Sequence, residues 1–155
     1  MVRVQVSQRI DRPPDQVFRY VATEHFKNHP QWDPSIVELT QTSSGPMGAG
    51  TTAHLVRLDQ GKRVEGMVEV VEYELDRSFA AVARFGPFVL RQRADFEPVG
   101  ADHTRLTLTI DTEAAGLMRF LLPLFKRTFA RTMTTSLQRI DQAVVSGAAD
   151  GDAGQ

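Results

Sequence analysis

Six runs of alternating apolar and polar residues fill the middle of the chain, and one long amphipathic stretch follows them. The runs cover residues 36–42, 51–58, 63–75, 78–85, 88–97 and 104–112. Alternation with period two marks strands that bury one face. Turn formers separate them: Gly45-Pro46-Met47-Gly48-Ala49-Gly50, Asp59-Gln60-Gly61, Leu75-Asp76-Arg77, Gly86-Pro87 and Pro98-Val99-Gly100-Ala101-Asp102. Connections this short favour an antiparallel meander. The closing stretch, residues 117–146, places Met118, Leu122, Phe125, Phe129, Met133, Leu137, Ile140 and Val144 at spacings of three and four, which makes one helical stripe. Pro123 predicts a kink there, or the start of the main helix after a separate turn.

Ahead of these elements, Val2, Val4, Val6 and Ile10 share one face of an opening strand, which Asp11-Arg12-Pro13-Pro14 breaks. Asp11 is expected to cap a short helix with Val17, Phe18 and Val21 on its apolar side, and Thr23 to cap a second one over residues 24–28 that Pro30 ends. The order is therefore strand, two short helices, six strands, long helix. Two short helices cannot cover the apolar face of such a sheet, so the long helix must lie across it. This predicts an α+β domain over residues 1–146, with a curved antiparallel sheet of about seven strands around the C-terminal helix. Sheet and helix curve apart at their ends, and the space between them is either filled by side chains or a ligand cavity. Residues 147–155 are small and polar and are expected to be disordered.

Charge and composition exclude several functions. Across 155 residues, 18 Lys and Arg face 19 Asp and Glu, a balance that argues against a nucleic-acid partner. With no cysteine, the chain has no disulfide, no thiolate nucleophile and no cysteine zinc site. No apolar run approaches the roughly 18 residues that cross a bilayer, so stable membrane insertion is not expected. The opening residues lack a signal peptide's apolar core, and a cytoplasmic location is expected. There is no Gly-x-Ser-x-Gly elbow, phosphate loop or dinucleotide fingerprint, and no cofactor is expected.

The candidate site residues fall in two groups. Trp32, the sole tryptophan, either plugs one end of the core or walls a pocket. Phe88, Leu90, Ala94 and Phe96 share a strand face with Gln92, a polar group that needs a partner if it points inward; cavity water or a ligand would serve. Phe125, Phe129 and Met133 would roof a cavity. These give the ligand-binding candidates Trp32, Phe88, Leu90, Gln92, Phe125, Phe129 and Met133. The weaker catalytic candidates are His54, Arg57 and Tyr73. One of His54 and Arg57 must accompany whichever face of residues 51–58 turns inward, and Tyr73 offers a phenol. His25 and His29 stand at i, i+4, but no third ligand accompanies them, so the expectation is a solvated short helix and no metal. Arg91, Arg93 and Asp95 are expected to form an exposed ladder with Arg105, Thr107 and Thr109. Residues 117–124 are more apolar than one buried face requires, which suggests a cavity lid, a homodimer contact or a membrane-touching entrance.

Three segments carry a family resemblance. Arg12-Pro13-Pro14-Asp15-Gln16-Val17-Phe18 after the opening strand, Asn28-His29-Pro30-Gln31-Trp32-Asp33-Pro34, and the Gly-rich turn into Thr51 are similar to segments of the START-like, Bet v 1-like superfamily. Within it, the chain resembles the polyketide cyclase/dehydrase and lipid-transport family. The resemblance implies the helix-grip fold. It also implies a small hydrophobic partner (a lipid, sterol or polyketide-like molecule) held by a carrier or sensor. A polyketide cyclase or dehydratase is the alternative, and an interaction module with a filled core is the third. Fold alone does not choose among them.

Overall fold

The structure is a computed structural model that describes residues 1–147; the remainder of the tail expected to be disordered lies outside the described residues. Strands β1 (Val2–Ile10), β2 (Ile36–Gln41), β3 (Thr52–Asp59), β4 (Lys62–Glu74), β5 (Ser78–Phe85), β6 (Phe88–Val99) and β7 (His103–Ala114) form one antiparallel sheet in the order β1-β7-β6-β5-β4-β3-β2. From β2 to β7 the strands pair in chain order, as the short turns require. Only β1 makes a long-range pairing, with Val2 opposite Thr112 and Ile10 opposite Thr104. Irregularities at Ile36–Glu38 and Val70–Glu72 break the registers locally and bend the sheet.

Gly66 explains one tight contact in the sheet. It pairs with Phe85 across β4 and β5, and a Cβ there would sit 2.2 Å from the Arg84 carbonyl oxygen and 2.7 Å from the Phe85 Cβ. Only glycine lets the two strands approach this closely.

Between β1 and β2 the chain forms α1 (Pro14–Phe18), a π-helical turn at Arg19–Thr23 and α2 (His25–Trp32). The expected capping is not observed. Helix α1 opens at the proline pair with no side-chain cap, because prolines at the first turn have no amide to satisfy. The Thr23 hydroxyl lies 2.9 Å from the Tyr73 hydroxyl, and Glu24 precedes α2 in its place. Pro30 lies inside α2, which runs on to Trp32. The helix continues because it is anchored on both sides of the proline. Asn28 donates to the Tyr20 carbonyl at 3.0 Å, and the Tyr20 hydroxyl donates to Gln31 at 2.7 Å. Burial pushes the Tyr20 phenol up to about 12.

The C-terminal segment forms α3 (Met118–Leu121), a 3-10 turn at Leu122–Phe125 and α4 (Lys126–Val145). Pro123 thus separates a short turn from the main helix. Helix α4 lies across the sheet against β1 and α2, burying Met133, Ser136, Leu137, Ile140 and Val144. Each large apolar side chain removed from water here contributes about 1.5–3 kcal/mol. Polar contacts fix its position: Gln8 donates to Asp141 at 2.7 Å, Arg12 to the Val145 carbonyl at 2.7 Å, and Ser136 to the Trp32 carbonyl at 2.9 Å. The expected stripe is kept from Met133 onward, but Phe125 turns out to solvent, 39% exposed. A 3-10 turn advances faster per residue than an α-helix and shifts the phase of the stripe.

The sheet's outer face carries ion pairs. Arg3 meets Asp111 at 2.7 and 2.9 Å, and Arg93 meets Glu72 at 2.9 Å and Asp95 at 3.1 Å. Arg93 and Asp95 face Thr109 and Thr107 as expected, while Arg91 faces Asp111. Exposed pairs of this kind add little stability.

Candidate functional site

A cavity of about 100 Å³ lies between α4 and the concave face of the sheet. One side is aliphatic, with Leu90, Leu108 and Ile110 from β6 and β7 facing Met133 and Ile140 from α4. The other side is polar and aromatic, with His25, His29 and Trp32 from α2 and Asp33 just beyond it, Arg57 from β3, Phe79 and Phe85 from β5, and Gln92 from β6.

The polar end is built by α2. Residues four apart on a helix share a face, so His25 and His29 point the same way, with ring centroids 4.5 Å apart. His25 also packs on Phe79 at 4.8 Å and Trp32 at 5.8 Å, and His29 on Trp32 at 5.1 Å. The expectation of a solvated pair is therefore corrected: His25 is 3% exposed. Its Nδ1 lies 2.9 Å from the Val21 carbonyl oxygen, so that nitrogen carries the proton and donates. This leaves the Nε2 lone pair facing the Gln92 amide nitrogen at 3.4 Å. Burial lowers the His25 pKa to about 4, and the backbone bond offsets this only in part. Burial also holds His29 well below the usual imidazole range, with the charges of His25 and Arg57 adding to the effect. Both rings are neutral at physiological pH. The contact of His29 Nε2 with Asp33, at 4.0 Å, is then not an ion pair. Among the described residues no group of three ligating side chains is placed to hold a metal ion.

Asp33 takes its charge partner from Arg57 instead, whose Nη1 donates to Oδ2 at 3.2 Å. Its other oxygen accepts from the Ser35 hydroxyl and amide. The Arg57 guanidinium stacks over the Phe85 ring at 5.2 Å, and its buried Nε lies 3.5 Å from an Asp59 oxygen in an ion pair without making a hydrogen bond. Leu55 and Arg57 turn inward on β3, and His54 turns outward to Glu65 at 3.8 Å.

The sequence candidates divide accordingly. Trp32, Leu90, Gln92 and Met133 come together on the cavity wall, and Arg57 joins them. Phe88 and Phe129 pack in the apolar cluster beyond it with Val2, Val4 and Leu122, and Phe125 is on the outside. His54 lies at the sheet surface, and Tyr73 packs edge-on against Phe18 at 5.2 Å away from the cavity. The cavity wall also holds Phe79, which sequence reasoning did not single out, and His25 and His29, which it weighed only as a metal pair on a solvated helix. Their i, i+4 spacing was the available signal for the histidines.

The sequence has no match among curated proteins. Solved structures share the fold. A START superfamily protein from Mycobacterium smegmatis superposes with TM-score 0.76 at 18% identity, covering 93% of this chain and 97% of that one. The Zhui aromatase/cyclase from Streptomyces sp. R1128 gives 0.73 at 14% identity, covering 95% of each. A Thermus thermophilus protein gives 0.72 at 21% identity, covering 94% and 99%. The family model for polyketide cyclase / dehydrase and lipid transport matches residues 1–145, the whole of the sheet and its gripped helix, and the chain belongs to that family.

Proposed function

We propose that the chain binds a compact hydrophobic molecule carrying one polar group, with the apolar part against Leu90, Leu108, Ile110 and Met133 and the polar group toward His25, His29, Arg57 and Gln92. The observation that carries the reading is the two-sided lining of the cavity: an aliphatic wall gives affinity and a few convergent polar groups give orientation. The space as it stands, about 100 Å³, is below the roughly 300–1,000 Å³ of drug-sized ligand pockets. It suits a small ring system better than a sterol or a long acyl chain, which would need α4 or Met133 to move.

Catalysis of the polyketide cyclase or dehydratase type is the second reading, and the imidazole–carboxylate neighbours His29 and Asp33 favour it. Against it, a general base works best with a pKa near the working pH, and both imidazoles sit far below. Neutral rings of this kind serve better as hydrogen-bonding groups than as proton abstractors.

Trp32, the sole tryptophan, stands on the cavity wall and supplies the test. Native mass spectrometry of freshly purified protein, followed by fluorescence titration with polyketide-like aromatics, sterols and fatty acids, should show a retained or saturable ligand that quenches Trp32. No retained mass and no fluorescence change across the panel would end the binding reading. Turnover of a polyketide-like substrate that His29→Ala abolishes would replace it with the catalytic one.

A further inference from the structure

The segment that leads into α4 faces solvent with its bulkiest side chains. Leu117 is 81% exposed, Leu124 75% and Phe120 65%, and Leu121 and Phe125 are also exposed. In this segment Leu122 is buried in the apolar cluster against the sheet and Met118 is half-buried, while the five others face solvent. A cluster this apolar on the surface marks an interaction site.

The surrounding charge identifies the partner. Between residues 114 and 140 the sequence has five cationic side chains, Arg119, Lys126, Arg127, Arg131 and Arg139, and no carboxylate, in a chain whose net charge is −1. In chain order the exposed Leu117, Phe120, Leu121 and Leu124 lead directly into this cationic stretch. Among the described residues Lys126, Arg127 and Arg131 are exposed and enter no ion pair, and Arg119 lies over the Phe120 ring at 4.7 Å. An apolar stripe flanked by unpaired cations fits an anionic lipid surface: the leucines and phenylalanines enter the interface and the arginines meet the headgroups. A second copy of this chain would bring the same cations face to face.

We propose that α3 and the first turns of α4 form a docking surface for anionic lipid bilayers, peripheral rather than spanning; no helix of the described residues is long and apolar enough to cross. The proposal stands on the exposed residues and their charges, independently of what the cavity holds.

Co-sedimentation of the full chain with vesicles of phosphatidylcholine mixed with phosphatidylserine tests it, with pure phosphatidylcholine vesicles as the reference. Binding is expected to the mixed vesicles only, and to weaken as salt rises. Arg127→Ala and Arg131→Ala should each lower affinity about fivefold. Leu124→Asp should abolish binding while circular dichroism and thermal unfolding stay unchanged, since that side chain is directed to solvent. No sedimentation with the mixed vesicles, or equal binding by the parent and all three variants, overturns the proposal. So does a concentration-dependent dimer in light scattering that Leu124→Asp dissociates, because the patch would then be a contact between copies.

Discussion

The helix and sheet meet differently at the two ends of their interface. At the end near the β1–α1 corner, Ile10, Phe18, Phe96, Leu106 and Val144 are all buried, and Phe18 packs edge-on against Phe96 at 5.0 Å. Near the end of α2 the same two surfaces diverge around a hollow lined by imidazoles, an arginine and an amide. One end gains its free energy from close packing. The other gives up some packing and holds polar groups out of water. In this fold the filled end supplies the stability that lets the open end remain imperfect.

The contrast breaks most readily at Phe18. Phe18→Ala should cost about 3–5 kcal/mol in urea unfolding, because it empties the filled end. Ligand affinity measured through Trp32 should barely change. A parallel loss of affinity would mean that the two ends are not separable.

The open end has a pH signature. The buried His25 is neutral down to about pH 4 when folded and takes a proton near 6.5 when unfolded. Between these values the unfolded chain binds more protons, so stability is full above about 6.5 and falls as the pH drops toward 4, by roughly 3 kcal/mol in all. Unfolding measured across that window should show the slope, and His25→Leu should reduce it, leaving the part that the buried His29 contributes in the same direction. An unchanged slope would place the responsible group elsewhere.

Smaller effects sharpen the comparison. Gly66→Ala should cost about 1–3 kcal/mol, since the new methyl meets the Arg84 carbonyl, and thermal unfolding would register it. Arg57→Met should cost only about 1 kcal/mol, because Asp33 keeps its Ser35 contacts, yet weaken ligand binding in the Trp32 titration. Unaltered affinity would remove Arg57 from the binding reading.

Much of the filled end was legible in the sequence. Strand alternation and turn formers placed all seven strands, with β5 assigned at Ser78–Phe85 to the residue. The inward face of β6 followed from Phe88, Leu90, Ala94 and Phe96, and it carried Gln92 to the cavity. The open end was less legible because it depends on a helix that sequence rules shorten. Pro30 reads as a stop, but tertiary anchors through Tyr20 and Asn28 carry α2 on to Trp32 and turn His25 and His29 inward. Which side of β3 faced the helix was undecidable from residues 51–58, where both faces hold apolar groups and Val56 and Leu55 are buried on opposite sides. Phe125 was misplaced for a local reason: the 3-10 turn at Leu122–Phe125 rotates it off the stripe that its spacing implies.

The pairing of β1 with β7 has a consequence for how the molecule is made. During synthesis β1 emerges before β2 to β7, yet among the described residues its only neighbour in the sheet is β7, which ends at Ala114. Until then the nascent chain carries an unmatched strand with a Val-rich side exposed, while the hairpins from β2 to β7 can zip locally one after another. Closing the sheet joins points about a hundred residues apart, so that step is expected to be the slow one, and the helix that seals the interior follows β7 in the chain.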